Sequence, residues 1–378
     1  MNRGLYFAKR KSPVMNKKLF SFPFLFLVLF SACEKNKKNN AIPPGTATIN
    51  IRVLTQGLSF PWEIIWGPDN MIWMTERGGR ISKVNPANGS VTPLLTIPDV
   101  KSQGEGGLLG MALHPDFNLT PHVFVAYNYD RGGEYREKIV RYIYTGNTLS
   151  NPQVIFDNID AAGIHNGCRL LIVDQKLYIT TGDAADQSLP QKTSSVNGKI
   201  LRVNLDGTIP SDNPISGNAV WTYGHRNPQG LVFANGILYS SEHGPDTDDE
   251  INIIEKGKNY GWPDVKGFCN TSGEQSFCAT NSVREPIQAW TPTIAACGLD
   301  YYQHNLIAEW KNSLLLCTLR GTRLVQLKLN DSHTAITSSG EFVRDDYGRL
   351  RDICISPDGK VYICTGNGND DKILCITN

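Results

Sequence analysis

One pattern recurs six times along this chain. It is an apolar run, a tight turn, a second apolar run closing on Thr, Ser or Gly, and then a further strand-like run. The first copy is "WEIIWGPDNMIWMTERGGRISKVN". The second is "GLLGMALHPDFNLTPHVFVAYNYD" with "KIVRYIY", and the third is "CRLLIVDQKLYITTGDAAD" with "GKILRVNLDG". The fourth is "GLVFANGILYSSEHGPDTDDEINIIE", the fifth "GLDYYQHNLIAEWKNSLLLCTLRGTRLVQLKL" and the sixth "DICISPDGKVYICTGNGNDDKILCIT". Pro68-Asp69-Asn70, Asn235-Gly236 and Asp358-Gly359 supply hairpin turns between runs rich in Val, Ile, Tyr and Trp. No segment carries a long helical period. Hairpin units repeating every 45 to 70 residues or so read as propeller blades. The expectation is an all-β chain, a six-bladed β-propeller over residues 51–378. "TINIRVLTQ", ahead of the first copy, is expected to add an outer strand to the last blade and close the ring. A sandwich would leave the shared order of motifs unexplained.

A propeller gives "WTYGHRNPQGLVF" (Trp221 to Phe233) a meaning. The first strand of each blade lies nearest the central channel, so residues just before it sit at the channel mouth. Arg226, Asn227 and Gln229 hold that phase in blade 4, and His165 with Asn166 in blade 3. Glu105 holds it in blade 2, and Arg349 and Arg351 in blade 6. Polar residues far apart in sequence converge on one rim, where they are expected to stay wet while the strands behind them are buried. A lone His or Arg is usually structural or solvated. Several at matching phase read as one site, and clustered arginines read as a site for a multiply anionic ligand, because the planar guanidinium donates two parallel hydrogen bonds to a carboxylate.

Bulk charge supports a small-molecule site. Lys and Arg number 37 against 36 Asp and Glu, which lacks the basic excess of a nucleic-acid protein. The N-terminus reads as an export signal: Lys17-Lys18, an apolar run from Leu19 to Phe30, then Ser31-Ala32-Cys33. Cleavage at small residues is one reading. A bacterial lipoprotein box ending at Cys33, with Phe30 where Leu is usual, is the other, and it makes residues 1–33 a signal peptide and Cys33 a lipid anchor. The protein would then be periplasmic or at the cell surface, touching the membrane by its lipid alone. Met15 is the better start for such a signal. Residues 34–50, Lys/Asn-rich and then Pro43-Pro44-Gly45, read as a flexible tether. Eight cysteines remain. Cys317, Cys354, Cys364 and Cys375 fall in apolar runs, as small core residues do. Cys269 and Cys278 flank a polar loop and are the best disulfide candidates.

"EHGPDTDDEINII" concentrates Asp246, Asp248, Asp249 and Glu250 behind Gly244-Pro245. Hard oxygen ligands and turn carbonyls favour Ca²⁺ over zinc. A solvated acidic turn is the plainer reading, and the spacing is not that of an EF-hand.

Together, "GEGGLLGMALHPDF", "HNG…RLLI", "TTGD", "GKILRVNLDGTIPSDNP", "YGHRNPQG", "EHGP…DEIN", "GKNYGWP" and "RLRDICISPDG" resemble the soluble quinoprotein glucose dehydrogenases, and their aldose sugar dehydrogenase branch most of all. The likeness spans almost the whole chain after the tether. It implies a six-bladed propeller that binds pyrroloquinoline quinone (PQQ) and Ca²⁺ and oxidises an aldose at C1 to a lactone, passing electrons to an external acceptor. It implies that His165 is the general base. Arg226, Asn227, Gln229, Trp290, Arg320, Arg349 and Arg351 would contact the cofactor, and Glu105 and Gln187 the substrate. The carbonyls of Gly244 and Pro245 would bind the cofactor Ca²⁺, while Asp249, Glu250, Tyr260 and Asn270 resemble structural or dimer-interface calcium ligands, consistent with a homodimer. Glu105 replaces a substrate-contacting Gln of the glucose enzymes, Ile164 replaces an Asp beside the catalytic His, and Ile287 falls near a family Tyr. These departures bear on the sugar and leave the redox centre in place. A sorbosone-type dehydrogenase shares the cofactor. A Ca²⁺-dependent lactonase would need acids and amides ringing the channel metal, and a binding-only propeller would have lost His165 or the arginines.

Overall fold

Each of the six repeats folds as a four-stranded antiparallel sheet. The computed structural model describes residues 47–378. Blades 1 to 5 occupy residues 61–96, 108–160, 167–223, 228–290 and 296–342. Blade 6 takes three strands from residues 350–377, and its fourth is Asn50–Ser59, which pairs antiparallel with Asn369–Thr377 so that Arg52 lies opposite Cys375. The ring is therefore closed by the strand that the sequence pattern assigns to that role. The packed region begins slightly earlier than residue 51: Ala47 and Ile49, at the end of the expected tether, pack against the core between blades 5 and 6. The signal sequence, Cys33 and the tether up to residue 46 lie outside the described residues. No helix among the described residues is long and apolar enough to cross a membrane.

The first strands, such as Leu108–Leu113, Gly167–Val173 and Pro228–Ala234, pack side by side around the axis. Glycines permit this approach. A Cβ on Gly110 would lie 1.9 Å from the Cys168 carbonyl oxygen of the next blade, and one on Gly230 would lie 2.4 Å from that of Cys297. Between blades the sheets share apolar layers. Phe124, Ile139, Leu177 and Leu201 are fully buried between blades 2 and 3, and Trp310, Leu315 and Ile363 between blades 5 and 6. Burying each such side chain contributes about 1.5–3 kcal/mol.

Cys317, Cys354, Cys364 and Cys375 are buried and unpaired, as are Cys168 and Cys297. Cys269 and Cys278 form a disulfide across a Cα separation of 6.5 Å. It clips the helix Ser272–Asn281, which buries no residue and so carries no apolar stripe. Its sequence signal is the capping box: the Thr271 hydroxyl accepts from the Glu274 N–H, and the Glu274 carboxylate accepts from the Thr271 N–H.

Candidate active site at the channel mouth

His165 lies in the turn that leads into the first strand of blade 3, with φ of 58°. Its Nδ1 is 2.8 Å from Oδ1 of Asp183, which follows the second strand at the same open end of the hairpin. Asp183 is held in turn. Its Oδ2 accepts from Trp262 Nε1 at 2.9 Å and its Oδ1 accepts from the Ala185 N–H at 2.8 Å. A carboxylate with no proton to give assigns the imidazole proton to Nδ1 and leaves Nε2 as the basic nitrogen. The His165 N–H donates to Glu105 Oε2 at 3.2 Å, tying the blade 2 rim to the blade 3 rim. Asp183 stands inside "TTGD" but was not singled out from the sequence. It closes the second strand of its blade at the rim, 18 residues from the histidine it orients, and the strand-ending acid was the available signal.

The blade 4 rim is not wet. His225 is fully buried, and Asn227 and Gln229 nearly so. Most of their polar atoms are satisfied within the protein, which removes most of the cost of burying them. His225 Nδ1 pairs with Glu242 Oε2 at 2.8 Å and its Nε2 with Thr222 Oγ1 at 2.9 Å. Asn227 Oδ1 accepts from the Gly167 N–H and from Gln229 Nε2, both at 3.1 Å. Gln229 Oε1 accepts from Arg351 Nη1 at 3.0 Å. The "HRNPQ" run is thus an internal network that stitches blades 3, 4 and 6 together.

Above this network opens a cavity of about 460 Å³. Glu105, Gln229, Arg320, Arg349 and Arg351 line it, with Trp62 as its large aromatic wall. Arg320 Nη1 donates to Thr293 Oγ1 at 3.1 Å. Burial and the charge of Arg351 hold the Arg349 guanidinium below its ordinary pKa. His243, also on the wall, is pushed down to about 3 by burial and by Arg351 and Arg226, so it is neutral, and its Nε2 is buried without a partner. Behind Trp62 is an ion triad: Arg169 Nη1 lies 2.5 Å from Glu63 Oε1 and 3.0 Å from Asp352 Oδ1. Arg169 also stacks on Trp62 at 4.5 Å, and Arg351 lies 5.7 Å from the same ring. The triad lines a separate pocket of about 270 Å³.

Beside the cavity is a void of about 10 Å³, lined by Arg226, Glu242, Gly244, Pro245, Asp248, Glu250 and Tyr260. That is room for a single atom-sized occupant. Among the described residues, neither the Gly244 nor the Pro245 carbonyl accepts a backbone hydrogen bond. Burial, reinforced by Glu242 on the facing strand, pushes Glu250 up to about 8. The other acidic-loop residues are placed differently. Both oxygens of Asp249 are engaged, one by the Gly244 N–H at 2.8 Å and one by the Ile294 N–H at 2.7 Å. The Tyr260 hydroxyl donates to the Ile253 carbonyl, and Asn270 is exposed next to the disulfide. Among the described residues no three His, Cys, Asp or Glu side chains converge in a metal-binding cluster.

Two further residues stand away from the cavity. Trp290 is buried in the apolar layer between blades 4 and 5, on the strand paired with Asp249, and Trp62 takes the aromatic position on the cavity wall. Gln187 is exposed in the loop after Asp183 and does not line the cavity.

A family model described as glucose/sorbosone dehydrogenase matches residues 58–375. The chain belongs to that family. It is therefore a member of an oxidoreductase group, and its relatives are named accordingly. It is 32% identical to quinoprotein glucose dehydrogenase B of Acinetobacter calcoaceticus, over 85% of this chain and 86% of that one. It is 30% identical to aldose sugar dehydrogenase YliI of Escherichia coli K12, over 89% and 95% of the two chains. Its fold is similar to that of the PQQ-bound aldose sugar dehydrogenase of Streptomyces coelicolor, with a TM-score of 0.77, 34% identity and coverage of 89% and 99%.

Proposed function

We propose that this protein oxidises the C1 hydroxyl of aldose sugars to lactones with PQQ and Ca²⁺, using His165 as the base. The observation that carries the reading is the His165–Asp183 pair next to an arginine-walled cavity, which the neighbouring Asn166 and Gly167 line and whose Glu105 accepts from the His165 N–H. The cavity suits a planar, multiply anionic ligand. Its wall carries several guanidiniums, and a buried donor beside it, Arg226 Nε, lacks a partner. PQQ carries three carboxylates, which Arg320, Arg349 and Arg351 would hold. The free carbonyls of Gly244 and Pro245 suit a hard cation such as Ca²⁺.

When bound, PQQ supplies a two-electron acceptor for the C1 hydride, and Ca²⁺ supplies Lewis-acid polarisation. The protein contributes the rest. His165 Nε2 takes the hydroxyl proton, and Asp183 stabilises the imidazolium that results. Trp262 and the Ala185 N–H keep Asp183 aimed. Glu105, on the cavity wall and bonded to the His165 backbone, meets the sugar. The triad of Glu63, Arg169 and Asp352, behind Trp62, would close the channel beneath, and ligands would then enter from the side of Glu105 and Asn166. An external acceptor then collects the electrons. The export-type N-terminus supports a periplasmic or cell-surface lipoprotein anchored at Cys33.

The deciding experiment titrates metal-depleted protein with PQQ and Ca²⁺, follows cofactor absorbance, then adds aldoses and sorbosone. Bleaching by aldoses is the expected result. Bleaching by sorbosone alone would move the assignment to a sorbosone-type enzyme, and no uptake of PQQ would end the reading.

A further inference from the structure

Arg77 is a charged residue of the cavity that the reading above leaves without a task. It directly follows the second strand of blade 1, Ile72–Glu76, and lines the cavity with Arg349 and Arg351 of the neighbouring blade. Its backbone is fully used: its N–H donates to the Phe60 carbonyl at 3.0 Å, and its carbonyl accepts from the Leu108 N–H at 2.9 Å. The side chain is held by stacking. The guanidinium carbon sits 4.4 Å from the centre of the Phe60 ring, another cavity residue. Yet Nε is buried with no hydrogen-bond partner among the described residues. Burial and the repulsion of Arg351 lower its pKa, and Glu105 offsets them only in part. A guanidinium fixed by an aromatic ring, beside another guanidinium and without a full complement of acceptors, is organised for an incoming anion.

The charge of the cavity wall is consistent with an anionic ligand. The cavity is lined by four guanidiniums, those of Arg77, Arg320, Arg349 and Arg351, and by one carboxylate, Glu105. His243 is neutral. Three positive charges remain before any bound cation is counted, and Arg77 supplies one of them. Arg226 faces the small void with Glu242, Asp248 and Glu250, where its charge is matched locally.

We infer that Arg77 pairs with a carboxylate of the bound quinone, completing from blade 1 a guanidinium wall that blade 6 begins. The inference rests on the quinone reading. Its test is equilibrium binding of PQQ to cofactor-free R77M and R77Q proteins in excess Ca²⁺, followed by quenching of tryptophan emission. R351A and wild type serve as references. Both Arg77 variants are expected to weaken binding by at least about tenfold, as for a lost charge-assisted pair. Their cofactor-free melting temperatures should stay level or rise, because a poorly partnered buried cation has been removed. A purely structural Arg77 would instead lower the melting temperature and leave the dissociation constant of the folded fraction unchanged. Wild-type affinity in both variants, or a raised KM for sugar with unchanged PQQ binding, would overturn the assignment. Wild-type protein that binds no PQQ would overturn the quinone reading itself, a separate outcome.

Discussion

His165 and Asp183 are joined by a 2.8 Å contact between Nδ1 and Oδ1, and the acid of that pair is almost wholly buried. The pairing fixes which imidazole nitrogen can act as a base. His165→Ala is expected to cut turnover by about 10²- to 10⁴-fold, the usual general-base contribution, with PQQ affinity retained. Asp183→Asn should also lower kcat, because an amide can turn its NH₂ toward Nδ1 and force the wrong tautomer. Steady-state rates beside PQQ titrations check both. A His165→Ala enzyme with wild-type turnover would refute the base.

Arg351 should fail differently. Its Nη1 already donates to Gln229 Oε1, and its charge faces the cavity. Arg351→Ala is expected to weaken PQQ binding by roughly 2–5 kcal/mol, as for a desolvated charge pair. Excess cofactor should then restore part of the activity, which it cannot do for His165→Ala. Rates measured across a PQQ concentration series separate the two cases.

Glu137 makes stability fall as pH rises. It is fully buried, both its oxygens lack a hydrogen-bond partner in the described structure, and burial pushes it up to about 8 from 4.5. Between those values the unfolded chain has released the proton and the folded chain keeps it. The unfolded state therefore gains relative to the folded one through this window, by about 1.4 kcal/mol per pH unit. Near pH 7 the accumulated cost is about 3 kcal/mol. Glu137→Gln should flatten this slope and raise the melting temperature more at pH 8 than at pH 5. Equal shifts at the two pH values would show that Glu137 is not the source.

Ca²⁺ should raise the melting temperature once its free concentration exceeds its dissociation constant, by about 2.7 kcal/mol of stability at a hundredfold excess. Mg²⁺ should substitute poorly, since it demands a tighter octahedral cage. Glu250→Gln should blunt the response. Asp249→Asn should destabilise with or without the ion, because the Asp249 carboxylate anchors the N–H groups of Gly244 and Ile294. Melting curves in Ca²⁺ and in chelator decide it, and indifference to chelator would sink the metal.

Cys33→Ser should release the protein from the membrane fraction of a bacterial host. A wild-type protein found wholly soluble, with an N-terminus other than Cys33, would remove the anchor.

The blades were legible because hairpin turns and β-rich runs are local signals, and the closing strand because it precedes the first repeat with no partner of its own. The rim was legible as a phase within each repeat, which brought Glu105, Asn166, Arg349 and Arg351 to one cavity. Phase does not reveal pairing. It could not show that Asp183 orients His165, or that Asn227 and Gln229 spend their polar atoms on Gly167 and Arg351. Nor could it place Trp290, whose strand lies at the outer edge of its blade, or the short helix that no apolar face announces. Those facts depend on contacts between blades, where separation along the chain carries no information.

Closure of blade 6 by Asn50–Ser59 sets the order of assembly. The first strand made must wait for the last, some three hundred residues later, before either blade wall is complete. The cavity straddles that seam: Phe60, Pro61 and Trp62 line it from one side, and Arg349, Arg351 and Asn367 from the other. A ligand spanning the join acts as a rivet through the two ends of the polypeptide. While it stays bound, it opposes the parting of those two ends.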